Sequence, residues 1–158
     1  MLIKGITDED FVNYKLPSMY IATATCSFKC DKEYGCPICQ NSELVNVKPI
    51  YVADNEIIDR YVQNPITHAI VFGGLEPFDQ FADLATAIAA FRIVGVDDDI
   101  VIYTGYNRDE IEDKLDDLHT LGNIIVKFGR YIPNQQPHFD EVLGVNLASD
   151  NQYAERIC

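Results

Sequence analysis

The sequence predicts an α/β fold with a mostly parallel sheet, and three observations lead there. Four short apolar or β-branched runs read as strands: Met19 to Thr25, Thr67 to Phe72, Asp99 to Tyr103 and Asn123 to Phe128. Between the later runs lie stretches with apolar residues at helical spacing. The unusual loops follow the strands, at the carboxyl ends where α/β sheets collect ligands. Strand and helix in alternation imply βαβ units with right-handed crossovers.

The elements follow in order. Residues 1–18 form a short polar lead-in, a candidate edge element, in which Asp8-Glu9-Asp10-Phe11 starts one helical turn and Pro17 ends it. The first strand runs directly into a cysteine-rich loop. A helix starts at Asp54, which can cap it, and carries Ile57, Ile58, Tyr61 and Val62 as an apolar stripe before Asn64-Pro65 stops it. The second strand ends at Gly73-Gly74. A helix follows from near Pro77, with Phe78, Phe81, Leu84, Ala85, Ile88 and Phe91 at helical spacing and Gly95 at its close. After the third strand and Thr104-Gly105-Tyr106, Asn107 with Glu110 makes a capping box for a helix that turns Ile111, Leu115 and Leu118 inward and ends at Gly122. The fourth strand leads to an irregular tail with Pro133, Pro137 and a last short strand near Leu143 to Leu147. No repeat, linker or low-complexity tract divides the chain, so residues 1–158 read as a single domain.

Size and composition bound the function. A chain of 158 residues can bury a sizeable core, and 47% hydrophobic with 23% charged residues excludes disorder. The formal charge of −13 repels phosphate backbones, so nucleic acid is not expected as a partner. The N-terminus lacks a basic start with a long apolar run, and no segment is apolar enough to span a bilayer, so a cytoplasmic protein without a membrane partner is expected. Thiols stay reduced there, which favours metal over disulfides.

Four of the five cysteines, Cys26, Cys30, Cys36 and Cys39, lie within fourteen residues. Their spacing is Cys, three residues, Cys, five residues, Cys, two residues, Cys. It admits a closed zinc site of four thiolates, a four-cysteine iron–sulfur cluster of electron-transfer type, or a 4Fe–4S cluster held by three thiolates with one iron open. Three loops, at the cysteines, at Gly73-Gly74-Leu75-Glu76-Pro77 and at Thr104-Gly105-Tyr106, are expected to face one cavity. His68, His119 and His138 are scattered and read as surface or packing residues, Cys158 as incidental, and no acid–base pair stands out.

Thr25-Cys26-Ser27-Phe28-Lys29-Cys30 resembles the opening of the radical S-adenosylmethionine (SAM) signature, and Cys36-Pro37-Ile38-Cys39-Gln40-Asn41 resembles its close. The resemblance implies a partial, truncated radical SAM β/α barrel, a 4Fe–4S cluster and SAM. The chain departs from the usual three-cysteine motif by the insertion Asp31 to Gly35 and a fourth cysteine. Cys36 keeps the family's two-residue gap to Cys39, so Cys26, Cys36 and Cys39 are the favoured ligands, with Cys30 the other candidate. Gly73-Gly74-Leu75-Glu76-Pro77 resembles the family's Ser-Gly-Gly-Glu-Pro segment, which binds the amino group of SAM; Leu75 stands where a second glycine is usual. Ile102 to Tyr106, Val126 to Ile132 and Leu147 to Gln152 resemble, in order, segments of the activating proteins of anaerobic (class III) ribonucleotide reductase, with Lys127 in place of that family's aspartate. Thr104 becomes a candidate cofactor contact, and Tyr106, Asn151 and Gln152 become candidate contacts for the adenine or ribose.

What the resemblance implies is a glycyl-radical activase. SAM would bind through the open iron by its methionine amino and carboxylate groups, an electron would enter the sulfonium and break a carbon–sulfur bond, and the 5′-deoxyadenosyl radical so formed would take a hydrogen atom from a backbone glycine of the reductase. The partner is then an anaerobic ribonucleotide reductase that closes the open side of the barrel, and the electron donor a flavodoxin or ferredoxin. The competing expectations are a small-molecule radical SAM enzyme like 7-carboxy-7-deazaguanine synthase, a zinc- or cluster-bound module without catalysis, and a member that binds a cluster without cleaving SAM.

Overall fold

The computed structural model describes all residues, Met1–Cys158. Its main sheet has seven strands: β1 (Leu2–Asp10), β2 (Ser18–Thr23), β3 (Ile50–Tyr51), β4 (Ala69–Gly74), β5 (Asp99–Tyr103), β6 (Ile124–Phe128) and β9 (Tyr153–Arg156), in the order β3-β1-β2-β4-β5-β6-β9. The central pairs β2–β4, β4–β5 and β5–β6 are parallel, and β1, β3 and β9 add antiparallel flanks. The sheet is therefore mixed, with a parallel centre. A separate hairpin pairs β7 (His138–Asp140) with β8 (Val145–Leu147).

Period-2 alternation divides the central strands between two faces. Ile70, Phe72, Ile100, Ile102, Ile124, Val126 and Phe128 join Ile57, Leu84, Ile88, Phe91, Leu115 and Leu118 in the larger apolar cluster. Those partners come from helices α2 (Asp54–Val62), α3 (Phe81–Ile93) and α4 (Glu112–His119). Ala69, Val71, Val101 and Ile125 face the opposite way, under Tyr14, Leu143 and Leu147. Strands covered on both sides read as continuous apolar runs, which is why β4, β5 and β6 stand out in the sequence. The Asn107–Glu110 capping box forms as expected, ahead of a short 3-10 turn that leads into α4.

Three expectations are corrected. Asp8 to Asp10 finish strand β1 rather than start a helical turn, because Thr7 and Asp10 take up β2 register opposite Tyr20 and Ser18. Ala53 is the N-cap of α2, and Asp54 instead opens its first turn, paired with the N-terminal ammonium at 3.1 Å. The stretch at Pro77 begins as a 3-10 turn, Pro77–Gln80, and α3 proper starts at Phe81. Strands β3, β7 and β9 go beyond the expected set. No helix is long and apolar enough to cross a membrane.

Candidate metal centre

The site is built on the carboxyl ends of the parallel strands. Beyond β2, Cys26 lies in a loop that the turn after β4 holds from below. The Gln80 carboxamide oxygen accepts the Ala24 amide at 2.7 Å, an Asp79 oxygen accepts the Ser27 amide at 2.5 Å, and the Glu76 amide donates to the Thr25 carbonyl at 2.8 Å. Phe28, at a left-handed φ of 53°, turns the chain into α1 (Lys29–Tyr34), which carries Cys30. Gly35, at φ 81°, turns it out again. Asp31 then draws the loop back: one carboxylate oxygen accepts the amides of both Ile38 and Cys39 at 2.9 Å. The Asn41 side chain donates to the Gly74 carbonyl at 2.7 Å and ties the loop to the glycine turn. The five-residue insertion thus becomes most of a helix, and its Asp31 folds Cys39 back toward Cys30.

One cavity of about 320 Å³ receives these elements. Cys26, Cys30 and Cys39 line it together with Gly74, Leu75, Glu76, Thr104, Gly105, Lys127 and Gln152. Cys36 is exposed and lies off the cavity wall. Gly73 is also off the wall; its carbonyl accepts the Thr23 hydroxyl at 2.9 Å. Gly74 has φ 82°, and a Cβ there would meet Ala22 Cα at 3.0 Å, so the turn needs glycine on both counts. Tyr106 faces a smaller adjoining cleft and donates its hydroxyl to Asp79 at 2.5 Å. Asn151 is spent on the backbone, donating to the Arg130 carbonyl at 2.8 Å. All five cysteines are free thiols, and Cys158 packs at the edge of the core away from the other four.

Glu76 staples two cavity loops together. One oxygen accepts the Thr104 hydroxyl at 2.7 Å and the Phe78 amide at 3.1 Å; the other accepts the Gly105 amide at 2.9 Å. Burial raises its pKa to about 7 against these bonds. Lys127 is buried at the end of β6 and donates to the Gly129 carbonyl at 2.9 Å; burial lowers it to about 8. Arg130 grips Glu110 with two bonds of 2.6 and 2.7 Å, and holds Glu110 down to about 2. Burial pushes the Cys26 thiol to about 11 and Cys30 upward; the nearby Cys39 adds to both shifts. Metal binding at such thiols releases protons.

The donor set fits an iron–sulfur cluster. Three soft sulfur ligands line one cavity, and Cys39 lies near enough to both Cys26 and Cys30 to raise their thiols. Two cations, Lys127 and Arg130, stand near Cys30 and offset the negative charge such a group brings. No group of three or more Cys, His, Asp or Glu gathers around a point where a single ion could sit, and Cys36 stands apart from the cavity that Cys26, Cys30 and Cys39 line.

A family model described as 4Fe-4S single cluster domain matches residues 19–152. The chain belongs to that family. The match starts in β2 and ends at Gln152, so it takes in all four clustered cysteines, the glycine turn, the Thr104 loop and Lys127. A search of curated proteins and a search of solved structures each gave no match. As a 4Fe-4S single cluster domain the chain has more site than its cysteine motif announces. Asp31, Asp79, Gln80 and Arg130 all brace the loops around the cavity, and the first three belong to no motif: Asp31 bonds back to Ile38 and Cys39 across the turn after α1, and Asp79 and Gln80 bond across to the cysteine loop. Lys127 and Arg130 were visible only as part of the Val126 to Ile132 segment.

Proposed function

We propose that this 4Fe-4S domain is a radical SAM enzyme whose cluster is held by Cys26, Cys30 and Cys39. The reading rests on one observation: three thiols and the Gly74 turn share a single cavity at the carboxyl ends of β2, β4 and β5. Cys30 replaces Cys36 as the middle ligand in this proposal, because Cys36 points into solvent. The sheet is read as a partial barrel of the radical SAM type, and a reducing compartment such as the cytoplasm suits its free thiols.

When bound, the cluster supplies an electron to the sulfonium of SAM and an open iron for its methionine end. The chain's own groups do the rest. The Gly74 turn brings a backbone carbonyl to the cavity wall; it accepts the Asn41 side chain at 2.7 Å and has its second lone pair left for the amino group. The Glu76 oxygens are committed to Thr104, Phe78 and Gly105, so Glu76 fixes the walls rather than meeting the ligand. Lys127 presents a buried ammonium to a carboxylate in the cavity. Leu75 and Leu147 give the same cavity apolar wall that excludes water.

The substrate proposed is a backbone glycine of an anaerobic ribonucleotide reductase, with a flavodoxin or ferredoxin as electron donor. The resemblance of the Ile102–Tyr106 and Leu147–Gln152 segments to those activases supports this choice over a small molecule. The test is anaerobic reconstitution followed by an assay for 5′-deoxyadenosine with a strong reductant. Cleavage of SAM that rises with a glycyl-radical partner is expected. A fully loaded cluster that leaves SAM intact would overturn the reading, and turnover of a small molecule without any protein partner would overturn the activase part of it.

A further inference from the structure

Two buried side-chain polar atoms in this chain lack a hydrogen-bond partner: Thr67 Oγ1 and Arg130 Nε. The second lies at the metal centre. Arg130 follows Gly129, whose φ of 94° and near approach to the Asn151 carbonyl leave no room for a Cβ, and this turn aims the arginine back over the site. Its side chain is 8% exposed. Both terminal nitrogens are occupied, by Glu110 at 2.6 and 2.7 Å and by Glu33 at 3.0 Å. Nε is left over.

A buried donor without an acceptor costs about 1–3 kcal/mol, so an acceptor is expected when the protein is complete. Around Gly105 the neighbours converge: a Cβ there would meet Cys30 Sγ at 3.3 Å, Glu76 Oε2 at 3.6 Å and Arg130 Cγ at 3.8 Å. Cys26, Cys30, Gly105 and Arg130 also line one cleft of about 20 Å³, room for a single atom the size of a water. We infer that Arg130 is a positioning residue whose Nε–H is kept for the sulfur-bearing group held at Cys30, and that it raises the reduction potential of that group. A fixed cation and a hydrogen bond to sulfur both favour the reduced, more negative state. The inference rests on Cys30 being a ligand, as proposed above.

A purely mechanical role competes with this one. Helix α1 buries none of its residues, and the pairs Arg130–Glu33 and Lys29–Glu110 strap it down. The strap uses the terminal nitrogens alone, and gives Nε no work. Redox titration of the anaerobically reconstituted protein, followed by electron paramagnetic resonance, separates the two roles. Wild type, Arg130→Lys and Glu33→Gln are compared at equal iron and sulfide content. Arg130→Lys is expected to load fully and titrate at a more negative potential, with Glu33→Gln at the wild-type value. The inference is overturned if Arg130→Lys keeps the wild-type potential, if Glu33→Gln moves it as far, or if Arg130→Lys melts normally but takes up no cluster. Should Arg130→Lys melt early, Arg130→Gln with Glu110→Gln leaves no unpaired charge from that bidentate pair and is compared with Glu110→Gln alone by the same criteria. Cys30→Ala, run in parallel, keeps the two readings apart. Full iron there removes the ligand assignment, whereas an unmoved potential in Arg130→Lys removes only the role of Arg130.

Discussion

Replacing Glu76 with alanine puts the cavity's staple under test. The carboxylate is 8% exposed and accepts from Thr104, Phe78 and Gly105. Truncation leaves two backbone amides without an acceptor, at about 1–3 kcal/mol each, hence about 2–6 kcal/mol at a pH where the wild-type carboxyl is neutral. Burial raises this carboxyl from 4.5 to about 7. The fold therefore favours its neutral form: the contribution is fully present below pH 4.5 and is lost as pH rises through about 7. That rise corresponds to about 3 kcal/mol. The cost of Glu76→Ala should accordingly be largest at low pH and shrink toward zero above pH 7. Urea unfolding of the metal-free protein at roughly pH 4 and 8 measures both ends. A cost that stays constant, or grows with pH, would refute the reasoning, because it would mean that the three donors outweigh desolvation and that Glu76 is ionised throughout. Iron uptake should fall at either pH, since the Gly74 and Thr104 loops lose their link.

Two further perturbations probe the frame of the site. Gly74→Ala places a Cβ 3.0 Å from Ala22 at φ 82°, so a loss of about 1–3 kcal/mol and a melting drop of roughly 2–12 °C are expected; an unchanged melting temperature would contradict the close approach. Asp31→Ala removes the oxygen that holds the Ile38 and Cys39 amides, so Cys39 in the metal-free protein should alkylate several-fold faster while global melting changes little; equal rates would show that the loop is held by something else.

Much of the fold could be read in advance because β4, β5 and β6 are buried on both faces and helices α2 to α4 carry clean apolar stripes. The parts that could not be read have physical reasons. In β1 three of the nine residues are the acidic run Asp8-Glu9-Asp10, and most of its side chains are exposed or half-buried, as befits a strand near a sheet edge. Strand β9, Tyr153-Ala154-Glu155-Arg156, buries no residue; backbone pairing with Ile125 to Phe128 makes it a strand, and backbone pairing leaves no pattern. At the site, the cysteines declared themselves by spacing, and the Gly74 and Thr104 loops by their position after strands. The choice between Cys30 and Cys36 did not, because it depends on the insertion folding as α1 and on Asp31 pulling Cys39 back over it. Arg130 acquires its meaning only from Glu110, Glu33 and Gly105, each distant in sequence.

The central proposal is that Cys26, Cys30 and Cys39 hold a cluster with one iron free for SAM. Mössbauer spectra of reconstituted Cys36→Ala, recorded with and without SAM, test it most directly. The account predicts a full cluster in this variant, with the signal of a single iron site shifting when SAM is added. A variant that assembles no cluster, or a spectrum that SAM leaves unchanged, would contradict it.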